Sequence, residues 1–303
     1  MQVLAPIVIF VYNRPSHTRR MMDALEKAQL AEQSEIFIFS DGAKSAADIN
    51  SVNHVRSIIC EPRRFKKINI IEREKNYGLA NNIIAAVTQV VNEYGKVIVL
   101  EDDLEIAEHG LQYFNEALNL YRNEEQVMEI SGYMYPAESV SSLPESFFFR
   151  VANSWGWATW DRAWKHFDKD INKLTENFSK EDIKNFSIDH TENFWKQVQE
   201  LKAGKINSWA IRWYLSIFNQ KGLVLYPRES MIQNIGTDGS GTHSDADAVY
   251  KVRLATKPVG QFPSIIEENP EAYKVIQYFY KNRKGNLMQR GLRFAKKMWL
   301  KRK

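Results

Sequence analysis

The chain holds a single cysteine, Cys60, in 303 residues, which forbids an intramolecular disulfide and leaves no thiolate cluster for zinc. A reducing compartment is the expectation. No apolar run approaches the ~18–20 residues of a membrane span. The longest, Ala5 to Tyr12, has eight residues and no basic leader before it, so it reads as a strand and not as a signal peptide. In a cytosolic chain the two Asn-x-Ser sequons at Asn177 and Asn185 carry no glycosylation meaning. No glycine precedes Gly42, so neither a P-loop nor a Gly-x-Gly-x-x-Gly turn can follow the first strand. The later Gly236-x-x-Gly239-x-Gly241 has the wrong order and no strand–helix setting. Dinucleotide redox chemistry and P-loop hydrolysis are both disfavoured.

Acidic residues are also missing from one end. Eleven of the 41 Lys and Arg lie after Glu271, where no Asp or Glu remains. Residues 1–273 therefore carry 30 basic against 37 acidic groups, and the last thirty carry +11. An acidic body argues against nucleic acid as a partner, because such proteins are basic over their main face.

What is present is ordinary globular composition, 44% apolar and 26% charged. β-Branched runs at Pro6–Tyr12, Glu35–Ser40, Ile68–Glu72 and Lys96–Leu100 alternate with helical stretches at 16–29, 46–60 and 79–94. This alternation predicts an α/β fold with a mostly parallel sheet flanked by helices. Ligands of such sheets sit beyond the carboxyl ends of the strands. Those ends read Asn13-Arg14-Pro15, Ser40-Asp41-Gly42, Lys75-Asn76-Tyr77-Gly78 and Glu101-Asp102-Asp103. From 106 to about 260 the pattern turns aromatic, with short strands expected at Phe147–Val151 and Gly222–Tyr226 and all but one of the eight tryptophans. A tryptophan wall suits the apolar faces of sugar rings, and it equally suits a plain core.

Three consecutive carboxylates at the end of a buried strand repel one another by ~4 kcal/mol per close pair unless a cation sits among them. An all-oxygen site of this kind suits Mg²⁺ or Mn²⁺. The alternative is a solvated strand end.

This constellation resembles the GT-A type of nucleotide-sugar glycosyltransferase, a Rossmann-like fold with an Asp-x-Asp-like motif after its fourth strand. The similarity is greatest to the N-acetylglucosaminyltransferase I group and to bacterial family-two-like transferases of surface polysaccharide, over residues 5–243. The resemblance implies that Arg14 contacts the donor diphosphate, that Asp41 accepts from the base N–H of a uracil, and that Asn76 touches the nucleotide. It further implies Asp103 as a direct ligand of Mn²⁺ or Mg²⁺, with Glu101 and Asp102 near the ribose and donor sugar. The segment Ser154-Trp155-Gly156-Trp157-Ala158-Thr159-Trp160-Asp161 looks like the one shaping the donor-sugar pocket, with Trp157 in it. In Asn207-Ser208-Trp209-Ala210-Ile211-Arg212-Trp213, Ala210 and Ile211 stand where relatives carry the catalytic acid. A base for inverting transfer must then come from Asp161, Glu229 or Asp238, with Asp238, in its glycine-rich stretch, preferred. His243 is a further candidate metal ligand.

The expected domains are 1–260, split at 105 into a nucleotide-sugar half and an acceptor-side half, and a basic helical tail, 261–303. In the tail Met288, Leu292, Ala295 and Trp299 share one helical face while Arg290, Arg293, Lys297 and Lys301 share the other. That pattern fits an anionic membrane surface. The sequence thus predicts a metal-dependent, inverting UDP-sugar transferase, peripheral at the inner face of the cell membrane, acting on a glycan or polyprenyl-diphosphate-linked acceptor. A sugar-nucleotide pyrophosphorylase and a non-catalytic sugar-binding protein are the alternatives.

Overall fold

The computed structural model describes residues 3–237 and 248–283. One eight-stranded sheet runs through it. Its strands are β1 (Ile7–Val11), β2 (Glu35–Ser40), β3 (Lys67–Glu72), β4 (Lys96–Glu101), β6 (Val127–Ser131), β7 (Ser146–Phe149), β8 (Trp157–Trp160) and β9 (Leu223–Pro227). A separate antiparallel pair joins β5 (Leu104–Ile106) to β10 (Ile232–Asn234). The sheet order is β3-β2-β1-β4-β8-β6-β9-β7. The first four strands are mutually parallel, β8 is antiparallel to both β4 and β6, and β6 and β9 run parallel to each other. β4, β6 and β9 therefore deliver their carboxyl ends to a single edge.

The reason for this layout is in the residues. β1 buries all five of Ile-Val-Ile-Phe-Val, and β4 buries Val97 to Leu100, as central parallel strands covered on both faces must. Three connecting helices supply the cover: α1 (Pro15–Lys27), α2 (Ile49–Ile59) and α3 (Leu79–Tyr94). α1 starts with Pro15 in its first turn, where the missing N–H costs nothing, and buries Thr18, Met21, Met22 and Leu25 on one stripe. α3 buries Ala80, Ile83, Ala86, Val87, Val90 and Val91 at helical spacing and stops at Gly95. A fourth helix, α4 (Gly110–Leu120), packs against β6 and β8. The expected strands and helices fall within about two residues of these, except that a 3₁₀ turn, Ala46–Asp48, precedes α2.

The halves expected on either side of residue 105 share this one sheet. The boundary at 260 is corrected by the structure. The helix Pro270–Asn282 buries Ala272, Ile276, Phe279 and Tyr280, and Tyr280 Oη donates to Tyr135 Oη at 2.8 Å. Ahead of it, Asn269 N donates to Phe148 O of β7 at 2.9 Å. Residues 261–283 are thus part of the domain, and the amphipathic pattern from Met288 to Lys301 lies outside the described residues. No helix among the described residues is long and apolar enough to cross a membrane.

Candidate functional site

At the carboxyl edge the loops after β1, β2 and β3 are laced into one rim. Asn13 Nδ2 donates to Asp48 Oδ1 at 2.9 Å, and Lys44 N donates to Tyr12 Oη at 3.0 Å. Asp41 is buried, and its carboxylate accepts from three backbone donors: Gly42 N (3.0 Å), Tyr77 N (2.8 Å) and Gly78 N (3.0 Å). α3 has no side-chain cap of its own, so Asp41 supplies the negative charge that its amino end favours. Asn76 Nδ2 donates to Gly42 O at 2.8 Å and closes the same loop pair. A Cβ on Gly42 would stand 2.5 Å from the Lys75 backbone, so only glycine lets these loops approach. Asp41 and Asn76 therefore lace the loops of the rim together. Tyr77, 39% exposed, lies over the Arg73 guanidinium at 4.7 Å and is the aromatic face that the rim presents.

Next to this rim, the ends of β1 and β4 bring Arg14 and the three carboxylates together. Arg14 Nη1 donates to Asp103 Oδ2 at 2.9 Å, with the two side chains 16% and 20% exposed. Arg14 Nη2 lies 3.0 Å from His17 Nε2 and donates to Gly236 O at 3.3 Å. Tyr12 N donates to Asp102 Oδ2 at 3.3 Å. The β5–β10 pair fixes the far wall, because Ile235 N donates to Asp103 O at 2.8 Å and sets Gly236 over the Asp103 carboxylate. A Cβ at Gly236 would fall 2.1 Å from Asp103 Oδ2 and 2.8 Å from Arg14 Nη1. Gly236 is a site residue that sequence reasoning passed over as part of a loop.

Burial pushes the Asp102 carboxyl up to about 7, with Asp103 adding to the rise and Arg14 opposing it. Glu101 is raised by burial and by both neighbouring carboxylates. Asp103 is raised by burial and pulled back by Arg14. The three carboxyls at the end of β4 thus hold their protons more tightly than free ones, and the Arg14 guanidinium only partly opposes this. Among the described residues no group of three or more His, Cys, Asp or Glu side chains forms a ready metal cage. The donor set at this strand end is oxygen only and incomplete, which fits a hard divalent ion that draws its remaining ligands from a substrate's phosphates.

On the same edge, around the ends of β6 and β8, lies an aromatic cavity of about 320 Å³. Its wall includes Tyr133, Trp155, Trp209, Trp213, Tyr250 and Tyr280. Trp155 meets Tyr133 edge-on at 4.7 Å and Tyr250 at 5.6 Å. Ala210 and Ile211 line the cavity too, with apolar side chains. Among the described residues the one carboxylate on this wall is Glu192, which is ion-paired with Arg283. Beneath it Glu129 is fully buried on β6, its oxygens accepting from Asn153 N at 2.8 Å and Trp213 Nε1 at 2.7 Å. Burial pushes Glu129 up to about 8, against the pull of those two donors. A lone acidic residue in an apolar strand was its only sequence signal.

Two expected site residues are corrected. Trp157 is 1% exposed, stacks on Trp209 at 5.1 Å and touches Trp164 and Trp213, so it belongs to the core under the cavity. Asp161 follows β8, whose register pairs Trp160 with Lys96 and Trp157 with Val99. It therefore sits at the amino end of β4, on the opposite edge from Asp103, and Asp161 N donates to Gly95 O at 3.0 Å. Antiparallel β8 reverses the edge that the sequence order suggested. Glu229 follows β9 on the carboxyl edge and is exposed. Asp238 and His243 lie outside the described residues.

No protein of curated function matches the chain. Solved structures show loose likeness. Mannosyltransferase PcManGT from Pyrobaculum calidifontis, in complex with GDP-Man and Mn²⁺, is 10% identical over 72% of this chain and 69% of its own, with a TM-score of 0.40. Mouse xyloside xylosyltransferase 1 in its apo form is 11% identical over 71% and 81%, with a TM-score of 0.37. Galactosyltransferase LgtC, in complex with donor and acceptor sugar analogs, is 11% identical over 73% and 72%, with a TM-score of 0.36. Residues 1–167, which span the laced rim, the Arg14–Asp103 pair and β8, match the sequence profile of the GNT-I family. The chain belongs to the GNT-I family and is a glycosyltransferase of GT-A type.

Proposed function

We propose that the chain transfers a sugar, with inversion, from a UDP-sugar to a hydroxyl of a glycan or lipid-linked saccharide. The observation that carries this reading is the pairing of Arg14 with Asp103 on the sheet edge that also holds an aromatic cavity. Arg14 offers a fixed, forked cation to the diphosphate. Asp103, with Glu101 and Asp102 beside it, would hold Mn²⁺ or Mg²⁺, which neutralises charge growing on the departing nucleotide. Tyr77 gives the base a stacking face, while Asp41 and Asn76 fix the loop that carries it. The acceptor ring lies against Trp155 and Tyr250 in the cavity. Asp238 takes the proton from the attacking hydroxyl, since the described wall offers only the ion-paired Glu192.

Residues 284–303, with eight basic and no acidic groups, would hold the enzyme on the anionic inner face of a bacterial membrane, where surface-polysaccharide intermediates carry a lipid. Release of UDP from UDP-glucose, UDP-galactose and UDP-N-acetylglucosamine, with and without Mn²⁺, tests the donor and metal assignment. Metal-dependent release from at least one is expected, and none from any of them overturns it.

A further inference from the structure

A larger cavity, of about 760 Å³, opens on the opposite edge of the sheet. It is bounded by Gln126 ahead of β6, Arg150 just past β7, and Gly222 and Leu223 at the start of β9. All of these mark the edge away from Asp103. The helix Trp209–Asn219 connects the two cavities: Trp209 and Trp213 line the aromatic one, Phe218 and Asn219 the larger one. Eleven residues at 1.5 Å each put its ends about 15 Å apart. The transfer chemistry proposed above uses nothing in this second cavity.

Its lining has a distinct character. Gln126, Asn177 and Asn185 make no side-chain hydrogen bond among the described residues, and Asn219 spends one amide proton on Leu174 O at 2.9 Å. Each amide offers two donors and a carbonyl in one plane, which matches adjacent hydroxyls that both donate and accept. Phe178 and Phe218, with centroids 5.3 Å apart, supply an apolar patch between them. Asn177 and Asn185 are also the two sequon asparagines, and the fold turns both toward this one space.

The charges nearly cancel. Arg150 Nε lies 2.8 and 3.0 Å from the two Glu268 oxygens, and Lys173 Nζ lies 2.7 Å from Asp168 Oδ2. Asp182 is held by Ser179 through its backbone N–H at 2.9 Å and its hydroxyl at 2.6 Å. The lining as a whole carries Arg150, Lys173 and Lys221 against Asp182, Glu267 and Glu268, three of each sign. Lys221 sits in the left-handed region, at φ 52°, so backbone strain is kept at this rim. A polyanion would need a surplus of cations, and an acyl chain would need an unbroken apolar wall. Free amides, a small aromatic patch and balanced charge fit an uncharged, hydroxyl-rich ligand.

We infer that this cleft is a second carbohydrate-binding site, which takes a neutral oligosaccharide at a distance from the transfer centre. The binding stands apart from the donor chemistry, so it holds whether or not the UDP-sugar assignment does. Maltotetraose, cellotetraose and chitotetraose, titrated into the full chain by saturation-transfer NMR, test it. At least one should bind, with the same affinity in saturating UDP and Mn²⁺ and in Trp155→Ala. The Asn177→Ala/Asn185→Ala pair, on exposed or half-exposed positions, should weaken it at least tenfold with an unchanged circular dichroism melt. Binding of none of the three, binding that survives the double variant, or binding abolished by Trp155→Ala would each overturn the assignment.

Discussion

Arg14 and Asp103 face each other from the ends of two adjacent parallel strands, guanidinium Nη1 to carboxylate Oδ2 at 2.9 Å. The sheet dictates this meeting. β1 and β4 are hydrogen-bonded neighbours, with Phe10 level with Glu101, so the residues just beyond each strand emerge side by side. Arg14 thereby brings a guanidinium into a patch where Asp102 and Asp103 raise the proton affinity of Glu101, and Asp103 that of Asp102. Cation and carboxylates thus stand side by side at one edge of the sheet.

Asp103→Ala should lower metal-stimulated UDP release by about 10²–10³-fold, the usual cost of removing one preorganised electrostatic group from a transition state. Arg14→Lys keeps the charge but loses the fork, so it should retain most thermal stability while weakening UDP affinity. Equal turnover in Asp103→Ala and the parent chain would remove Asp103 from the site.

Gly236→Ala should inactivate more than it destabilises. Its methyl would land 2.1 Å from Asp103 Oδ2, so either the β10 end or the carboxylate must retreat. Overpacking of this kind costs about 1–3 kcal/mol, a small shift in melting temperature. Displacing a catalytic group by ~1 Å costs about 10²-fold in rate. Paired melting curves and UDP-release rates separate the two effects.

The first half of this architecture is legible because parallel strands announce themselves as short, unbroken apolar runs, and each loop after such a run must reach the ligand edge. That logic correctly brought Arg14 and Asp103 together. It failed for Asp161 because β8 runs the other way, and a four-residue strand, Trp-Ala-Thr-Trp, carries no sign of its direction. Trp157 and Trp155 are two residues apart, yet one is core and the other cavity wall. Which tryptophan is which depends on what packs over them from the Trp209–Asn219 helix, a contact made across fifty residues. Gly236 escaped notice for a similar reason, since its importance lies in a carboxylate more than a hundred residues earlier.

Glu129 should make folding stability fall as pH rises. Its carboxyl is pushed from the usual 4.5 up to about 8, so between those values the folded chain binds a proton that the unfolded chain does not. The stabilising proton is fully present below about 4.5 and lost as pH passes about 8, at a limiting slope of about 1.4 kcal/mol per pH unit for one group. Glu129→Gln removes this slope. It also turns an amide N–H₂ toward Asn153 N or Trp213 Nε1, which should cost about 1–3 kcal/mol at acid pH. Urea melts of both proteins across that range should converge as pH rises.

Truncation should separate the tail from the helix before it. Deleting residues after 285 leaves Ala272, Ile276 and the Tyr280–Tyr135 hydrogen bond in place, so the melting temperature should hold while binding to anionic vesicles is lost. Deleting from Pro270 onward strips four buried side chains from the core and should leave little soluble protein.

The last prediction concerns the proton. An acceptor hydroxyl cannot attack the anomeric carbon without a base, and Ala210 and Ile211 on the cavity wall cannot serve. Glu192 is already ion-paired with Arg283. Asp161 is on the wrong edge. Glu229 is exposed beyond β9, and β8 and β6 intervene between β9 and β4. Gly236 lies over the Arg14–Asp103 pair, and Asp238 follows it by two positions in the sequence. Asp238→Asn should therefore abolish sugar transfer to acceptor while leaving UDP and Mn²⁺ binding by calorimetry unchanged. Glu229→Gln should leave transfer within about twofold of the parent. If Asp238→Asn transfers normally and Glu229→Gln does not, the base is on the β9 loop and the acceptor must lie across β6, farther from Trp155 than the cavity places it.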